Sequence, residues 1–211
     1  MSATVIAKAE SLPRFSPAEK WVHRATGALV AALTVTGAVL YYEPFALVVG
    51  RRPTVEAVHI AAGLLLPLPA LVGTFLSPAL RHDFRVLGRM TALDWQWLRR
   101  KDRRTAQLPV GKFNGGQKLA SAVLLGALLV LFGTGLLLIA PVRIDLPVGM
   151  RQGATIVHDL FTFGVLVLLG GHLWLALRHP EARRALRTGR MDRRYAEVEY
   201  AGWADEIQRL R

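Results

Sequence analysis

VHDLFTFGVLVLLGGHLWLAL, residues 157–177, contains 18 consecutive uncharged residues, Leu160 to Leu177, and two histidines fourteen positions apart, His158 and His172. An α-helix rises 1.5 Å per residue, so a hydrocarbon core about 30 Å thick takes roughly 20 residues, and this stretch with its flanks is long enough to cross a bilayer. On such a helix the two histidines lie roughly 21 Å apart along the axis but only about 40° apart around it. One face of a membrane helix thus carries an ionisable ring near each end. Burying such a ring unpaired in lipid is costly, which marks both positions as functional candidates.

Three further runs have the same character: residues 25–42, 57–80 and 119–142. With 52% hydrophobic residues and a mean hydropathy of +0.31 over 211 residues, the chain is too apolar for an ordinary soluble domain. Lipid-facing strands would instead alternate polar and apolar residues. The expected fold is all-α, an integral membrane four-helix bundle with helices at about 20–43, 55–79, 115–141 and 153–178. Residues 1–19 and 179–211 read as polar segments before and after it. The first 20 residues lack an apolar stretch of signal-peptide type, so the first helix is expected to remain as a span. Pro67 and Pro69 remove two backbone donors from the second, which is expected to bend near its middle.

Of the 27 Lys and Arg, 23 fall in residues 1–24, 78–118 and 178–211, and only Arg51, Arg52, Arg143 and Arg151 lie in the other two loops. The positive-inside rule then puts both termini and the central loop in the cytoplasm, of a bacterial cytoplasmic membrane on this reading. Helices one and three run outward, two and four inward. This placement also explains the net charge of +12, since cations beside membrane ends meet anionic headgroups, and nucleic acid is not an expected partner. The polar tail reads as surface helix that packs on the cytoplasmic face or on a partner.

Depth then sorts the six histidines. His82 and His179 lie beside Arg81 and Arg178 just outside spans and read as solvated interfacial side chains. His23, near the start of the outward first helix, shares the cytoplasmic level with His172; His59, near the start of the inward second helix, shares the outer level with His158. Two imidazole pairs at two depths are what two stacked six-coordinate haems require, each iron taking one axial ligand from either side. Hydrogen bonding between helices, or a proton path, would also place histidines in spans, but neither asks for matched levels. Gly27, Gly63, Gly170 and Gly171 would leave room for a flat macrocycle, or serve close helix packing. With no cysteine there is no covalent haem attachment, iron–sulfur cluster or disulfide, so the expected cofactors are two haem b.

One polar stretch remains, GKFNGGQK at 111–118, at the cytoplasmic mouth of the third helix. Asn114 as N-cap with Gln117 three residues on is a capping-box arrangement. The same groups are donors suited to a carbonyl that gains negative charge: the Asn114 and Gln117 amides, and N–H groups left open by Gly115 and Gly116. Lys112 and Lys118 would add positive potential or pass protons.

With RFSPAEKWVHRATG opening the first helix, His59 early in the second, GKFNGGQK matching the pattern G-K-[FY]-N-x-G-Q-K, and the two histidines of the fourth helix, the chain resembles the cytochrome b (gamma) subunit of respiratory formate dehydrogenases over nearly its whole length. The resemblance implies haem ligands at His23 and His172 (inner) and His59 and His158 (outer). It also implies a menaquinone, or ubiquinone, site at Asn114, Gly116, Gln117 and His172. Electrons from a molybdenum or tungsten formate dehydrogenase (alpha) subunit would pass through an iron–sulfur (beta) subunit to the outer haem, the inner haem and the quinone, in a complex open to higher oligomers. Three alternatives stay open: the cytochrome b of a nickel–iron hydrogenase or another quinone oxidoreductase, a stand-alone cytochrome b561-like oxidoreductase, and a haem-free anchor.

Overall fold

The computed structural model describes residues 11–42, 44–45, 47, 50–102, 108–140 and 147–209. The helix ends expected at 43 and 141, together with Arg103, Arg104 and Arg143, lie outside the described residues. The chain divides into a membrane unit, Trp21–Leu76 with Leu124–Gly170, and a polar unit, Met1–Lys20 with Ser77–Val123 and Gly171–Arg211.

Among the described residues, four helical segments are long and apolar enough to cross a membrane: α1 (Pro17–Tyr41), the pair α2 (Arg52–Leu65) and α3 (Leu68–Leu76), α6 (Gly115–Ile139) and α7 (Val148–Arg178). The fold is thus the helical membrane bundle that the apolar runs predict. The second span breaks where its prolines sit. Leu66 N–H turns back to Gly63 O at 3.2 Å, and Leu71 N–H reaches Pro67 O at 3.1 Å as the helix resumes, because neither Pro67 nor Pro69 has an N–H to continue the ladder. Side chains along the spans stay largely uncovered by protein, Phe75 at 82% and Val167 at 77% exposure. Lipid tails are as apolar as these side chains, so such helices need not bury them against one another.

The polar unit is built from three separated parts of the sequence. Strand β1 (Ser11–Pro13) pairs antiparallel with β2 (Arg190–Asp192), Leu12 opposite Met191. Both of those side chains are fully buried, among Leu108, Val110, Ala185, Ala196, Tyr200, Trp203 and Ala204. The central segment carries α4 (Pro78–Leu87), N-capped by Ser77, and α5 (Ala92–Arg99), which opens with a reciprocal Thr91–Asp94 capping box. The tail carries α8 (Pro180–Thr188), α9 (Arg193–Glu199) and α10 (Ala201–Arg209). It packs within its own chain: Trp203 N–H donates to Val110 O at 3.1 Å. Between α8 and β2, Gly189 takes φ +83°, and a Cβ there would lie 2.6 Å from the Phe15 carbonyl oxygen. Only glycine meets both conditions, and its own carbonyl accepts the Arg14 and Phe15 N–H groups.

Candidate functional site

The membrane unit brings His59 of α2 and His158 of α7 together, with ring centroids 6.5 Å apart. Each ring is seated by a Thr-Gly pair on the preceding span. Thr36 Oγ1 lies 2.8 Å from His59 Nδ1, and Thr134 Oγ1 lies 2.9 Å from His158 Nδ1. The next residue in each case is a glycine on which the ring rests. A Cβ at Gly37 would be 3.4 Å from His59 Cε1, and one at Gly135 would be 3.7 Å from His158 Cε1. An added Cβ at either position would sit in ordinary van der Waals contact with the ring.

This geometry suits a metal held between the rings. Two metal–nitrogen bonds of about 2 Å plus the ring radii give roughly 6 Å between centroids. Among the described residues no group of three or more His, Asp or Glu side chains is placed to hold a metal ion. Two imidazoles leave four positions of a six-coordinate iron to fill, which the four pyrrole nitrogens of a porphyrin would supply. His59 and His158 are the residues that would hold such a haem b.

His23 stands in the second turn of α1, within the membrane unit, and His172 near the end of α7, within the polar unit. The glycines expected to make room lie elsewhere than against the paired rings: Gly63 faces Leu33 Cδ2 at 3.8 Å, and among the described residues nothing lies within 4 Å of a Cβ built at Gly27, Gly170 or Gly171. His82 is exposed, its Nδ1 3.7 Å from Asp83 Oδ1. His179 is N-cap of α8, its Nδ1 3.4 Å from the Tyr195 hydroxyl.

The stretch 111–118 lies in the polar unit, and its side chains are engaged there. Asn114 N–H donates to Gln117 Oε1 at 3.0 Å and Gln117 N–H to Asn114 Oδ1 at 2.9 Å, the reciprocal cap read from the sequence. Gln117 Nε2 also donates to the Tyr200 hydroxyl at 3.2 Å. Gly115 and Gly116 have a packing reason: Cβ atoms there would lie 2.5 Å from Asp94 O and 2.9 Å from Trp97 Cζ3. The α6 N-terminus is pressed against α5 at a distance only glycine permits.

Lys118 is a buried cation and Lys112 a partly buried one. Lys118 Nζ donates to Asp94 Oδ2 at 2.7 Å and to Arg89 O at 3.1 Å. Burial pushes the Asp94 carboxyl up, but Lys118 and the Thr91 donors outweigh it and hold the group below its usual value. Lys112 Nζ donates to Glu19 Oε1 and Asp83 Oδ2, both at 2.6 Å. Burial, reinforced by the hydrogen-bonded Glu19 carboxyl, pushes Asp83 from 3.8 up to about 7 against the pull of Lys112. Arg14, 5% exposed, donates to the Lys112 carbonyl at 2.6 Å and stacks on Tyr200, 3.9 Å from guanidinium carbon to ring centroid.

Sequence reading by histidine depth misses Thr36, Gly37, Thr134 and Gly135. Their signal is a repeat: Thr-Gly stands 23 residues before His59 and 24 before His158, in VTGAVL and GTGLLL. A search for the same dipeptide at matching positions in the first and third spans would have found them.

The chain matches no curated protein. Residues 14–191 match the family model described as prokaryotic cytochrome b561.

Proposed function

The chain belongs to the prokaryotic cytochrome b561 family, and on that premise we propose that it carries electrons across the membrane through two haems and hands them to a quinone. It is an integral membrane b-type cytochrome with an electron-transfer role. The observation that carries the proposal is the His59–His158 pair, two rings 6.5 Å apart with each Nδ1 engaged by a threonine. When bound, haem supplies a reversible one-electron iron couple.

His59 and His158 hold the outer haem, and His23 and His172 hold the inner one, an assignment that rests on their positions along the spans. The polar unit, rich in Lys and Arg, faces the cytoplasm of a bacterial cell. The Asn114–Gln117 cap sits on that side, and the Gln117 amide, shared with Tyr200, is the group that would donate to a quinone carbonyl as it gains charge. Lys112 and Lys118 are paired with Glu19, Asp83 and Asp94, so they hold the region together rather than charge it.

We assign the chain as the membrane-anchoring subunit of a formate dehydrogenase complex, reducing menaquinone with electrons from an iron–sulfur subunit whose molybdenum or tungsten partner oxidises formate. GKFNGGQK supports this reading. One observation favours a stand-alone oxidoreductase of cytochrome b561 type instead: the tail folds back on 108–118 through Tyr200 and Trp203, so that face is covered by the chain itself.

Purification of the tagged chain from its native membrane tests both levels. Two haems per chain are expected, with His59→Ala and His172→Ala each removing one; loss of neither would defeat the ligand assignment. Formate should reduce both haems in intact membranes and an iron–sulfur subunit should co-purify. Reduction by a small-molecule donor without any partner would transfer the assignment to the stand-alone reading.

A further inference from the structure

We propose that Thr36 and Thr134 are positioning residues that lock His59 and His158 in the one tautomer able to ligate iron through Nε2. The proposal rests on the reading of these histidines as outer haem ligands and adds how the chain prepares them.

A threonine hydroxyl has one proton to donate and two lone pairs to accept with. In both threonines that proton is committed to the helix backbone. Thr36 Oγ1 donates to Ala32 O at 2.7 Å, with Leu33 O at 3.3 Å; Thr134 Oγ1 donates to Val130 O at 2.8 Å, with Leu131 O at 3.1 Å. Toward the imidazole each hydroxyl is left only as an acceptor. The contacts to Nδ1 at 2.8 and 2.9 Å therefore require a proton on Nδ1. A neutral ring protonated at Nδ1 carries its free lone pair on Nε2. Each ring is thus held as a ligand before any metal arrives, with the glycine beside each threonine lying against it.

The choice of acceptor has an electronic consequence. A carboxylate on Nδ1–H draws the ring toward imidazolate and stabilises ferric iron strongly, whereas a neutral hydroxyl does so weakly. Removing even this acceptor makes the ring a poorer donor and favours ferrous iron.

The test uses the full-length holoprotein with Thr36→Val, Thr134→Val and the serine variants at both positions. The valine variants are expected to keep two haems but to raise the outer haem's reduced-to-oxidised ratio at fixed ambient potential by roughly fivefold, the size of one net hydrogen bond. The inner haem should not move, and serine should restore the wild-type ratio. Full haem content with an unshifted outer haem would overturn the role of the threonines while leaving the haem reading intact; absence of haem from the wild-type chain would instead remove that reading. Should the valine variants fail to fold, Thr36→Ala and Thr134→Ala carry the same comparison, and an unshifted outer haem in them would overturn the proposal.

Discussion

Gly115 meets Asp94 at a distance that admits no side chain: a Cβ on Gly115 would stand 2.5 Å from the Asp94 carbonyl oxygen. The obstacle is backbone at the end of α6 and within α5, so it cannot swing aside as a flexible side chain would. Gly115→Ala should therefore separate the two helices and strain the Lys118–Asp94 pair. A loss of about 2 kcal/mol is expected, within the range for overpacking, read as a lower midpoint in thermal or denaturant unfolding of the detergent-solubilised protein. An unchanged midpoint would mean that α5 yields freely.

Lys112 holds two carboxylates whose side chains are each 6% exposed. Lys112→Met keeps the length of the stem but strands both acids. The cost should be about 3 kcal/mol, as for other buried pairs deprived of one partner, and Lys112→Arg should recover much of it. Yield and unfolding midpoint across the three proteins check this ordering.

Acidity supplies a third expectation. Asp83 has its folded value raised from 3.8 to about 7, so between roughly pH 4 and 7 the folded chain binds more protons there than the unfolded chain. Stability contributed by this residue is then present at low pH and is lost as pH rises through that window. Asp83→Asn should flatten this part of the profile, its advantage over the wild type growing from pH 5 to pH 8. Midpoints measured at several pH values, with the wild type alongside, carry the test; parallel profiles would refute the shift.

Gln117 serves the cap and Tyr200 together, which sharpens how its link to quinone must be examined. Gln117→Leu should slow haem reoxidation by quinone by roughly tenfold, the order of a hydrogen bond to a charged group, with both haems bound and reducible. Tyr200→Phe removes only the outer partner and should leave the rate nearly unchanged. Equal slowing in both variants would assign the effect to packing of the polar unit.

Much of the membrane part was legible because its physics is local. Apolar length decides a span, proline decides where the second span breaks, and counting residues along a helix was enough to match His59 with His158. The Asn114–Gln117 cap was legible for the same reason, being a contact three residues apart. The polar unit was not, since its arginines suggest solvated loop and tail while its core joins residues such as Leu12 and Met191 from opposite ends of the chain. The purpose of Gly115 and Gly116 was hidden likewise, because it lies in α5 and not in their own helix. Thr36 and Thr134 escaped notice because threonine is unremarkable in a membrane helix until its acceptor side is seen to face a ring.

The ribbon of β1 and β2 also sets an order of events during synthesis. Ser11 pairs with Asp192, so the first strand has no partner until the last has left the ribosome, on the order of ten seconds or more after it. All four spans are made in that interval. Insertion into the bilayer thus precedes closure of the ribbon, and a chain that ends before residue 190 leaves Leu12 without Met191 opposite it.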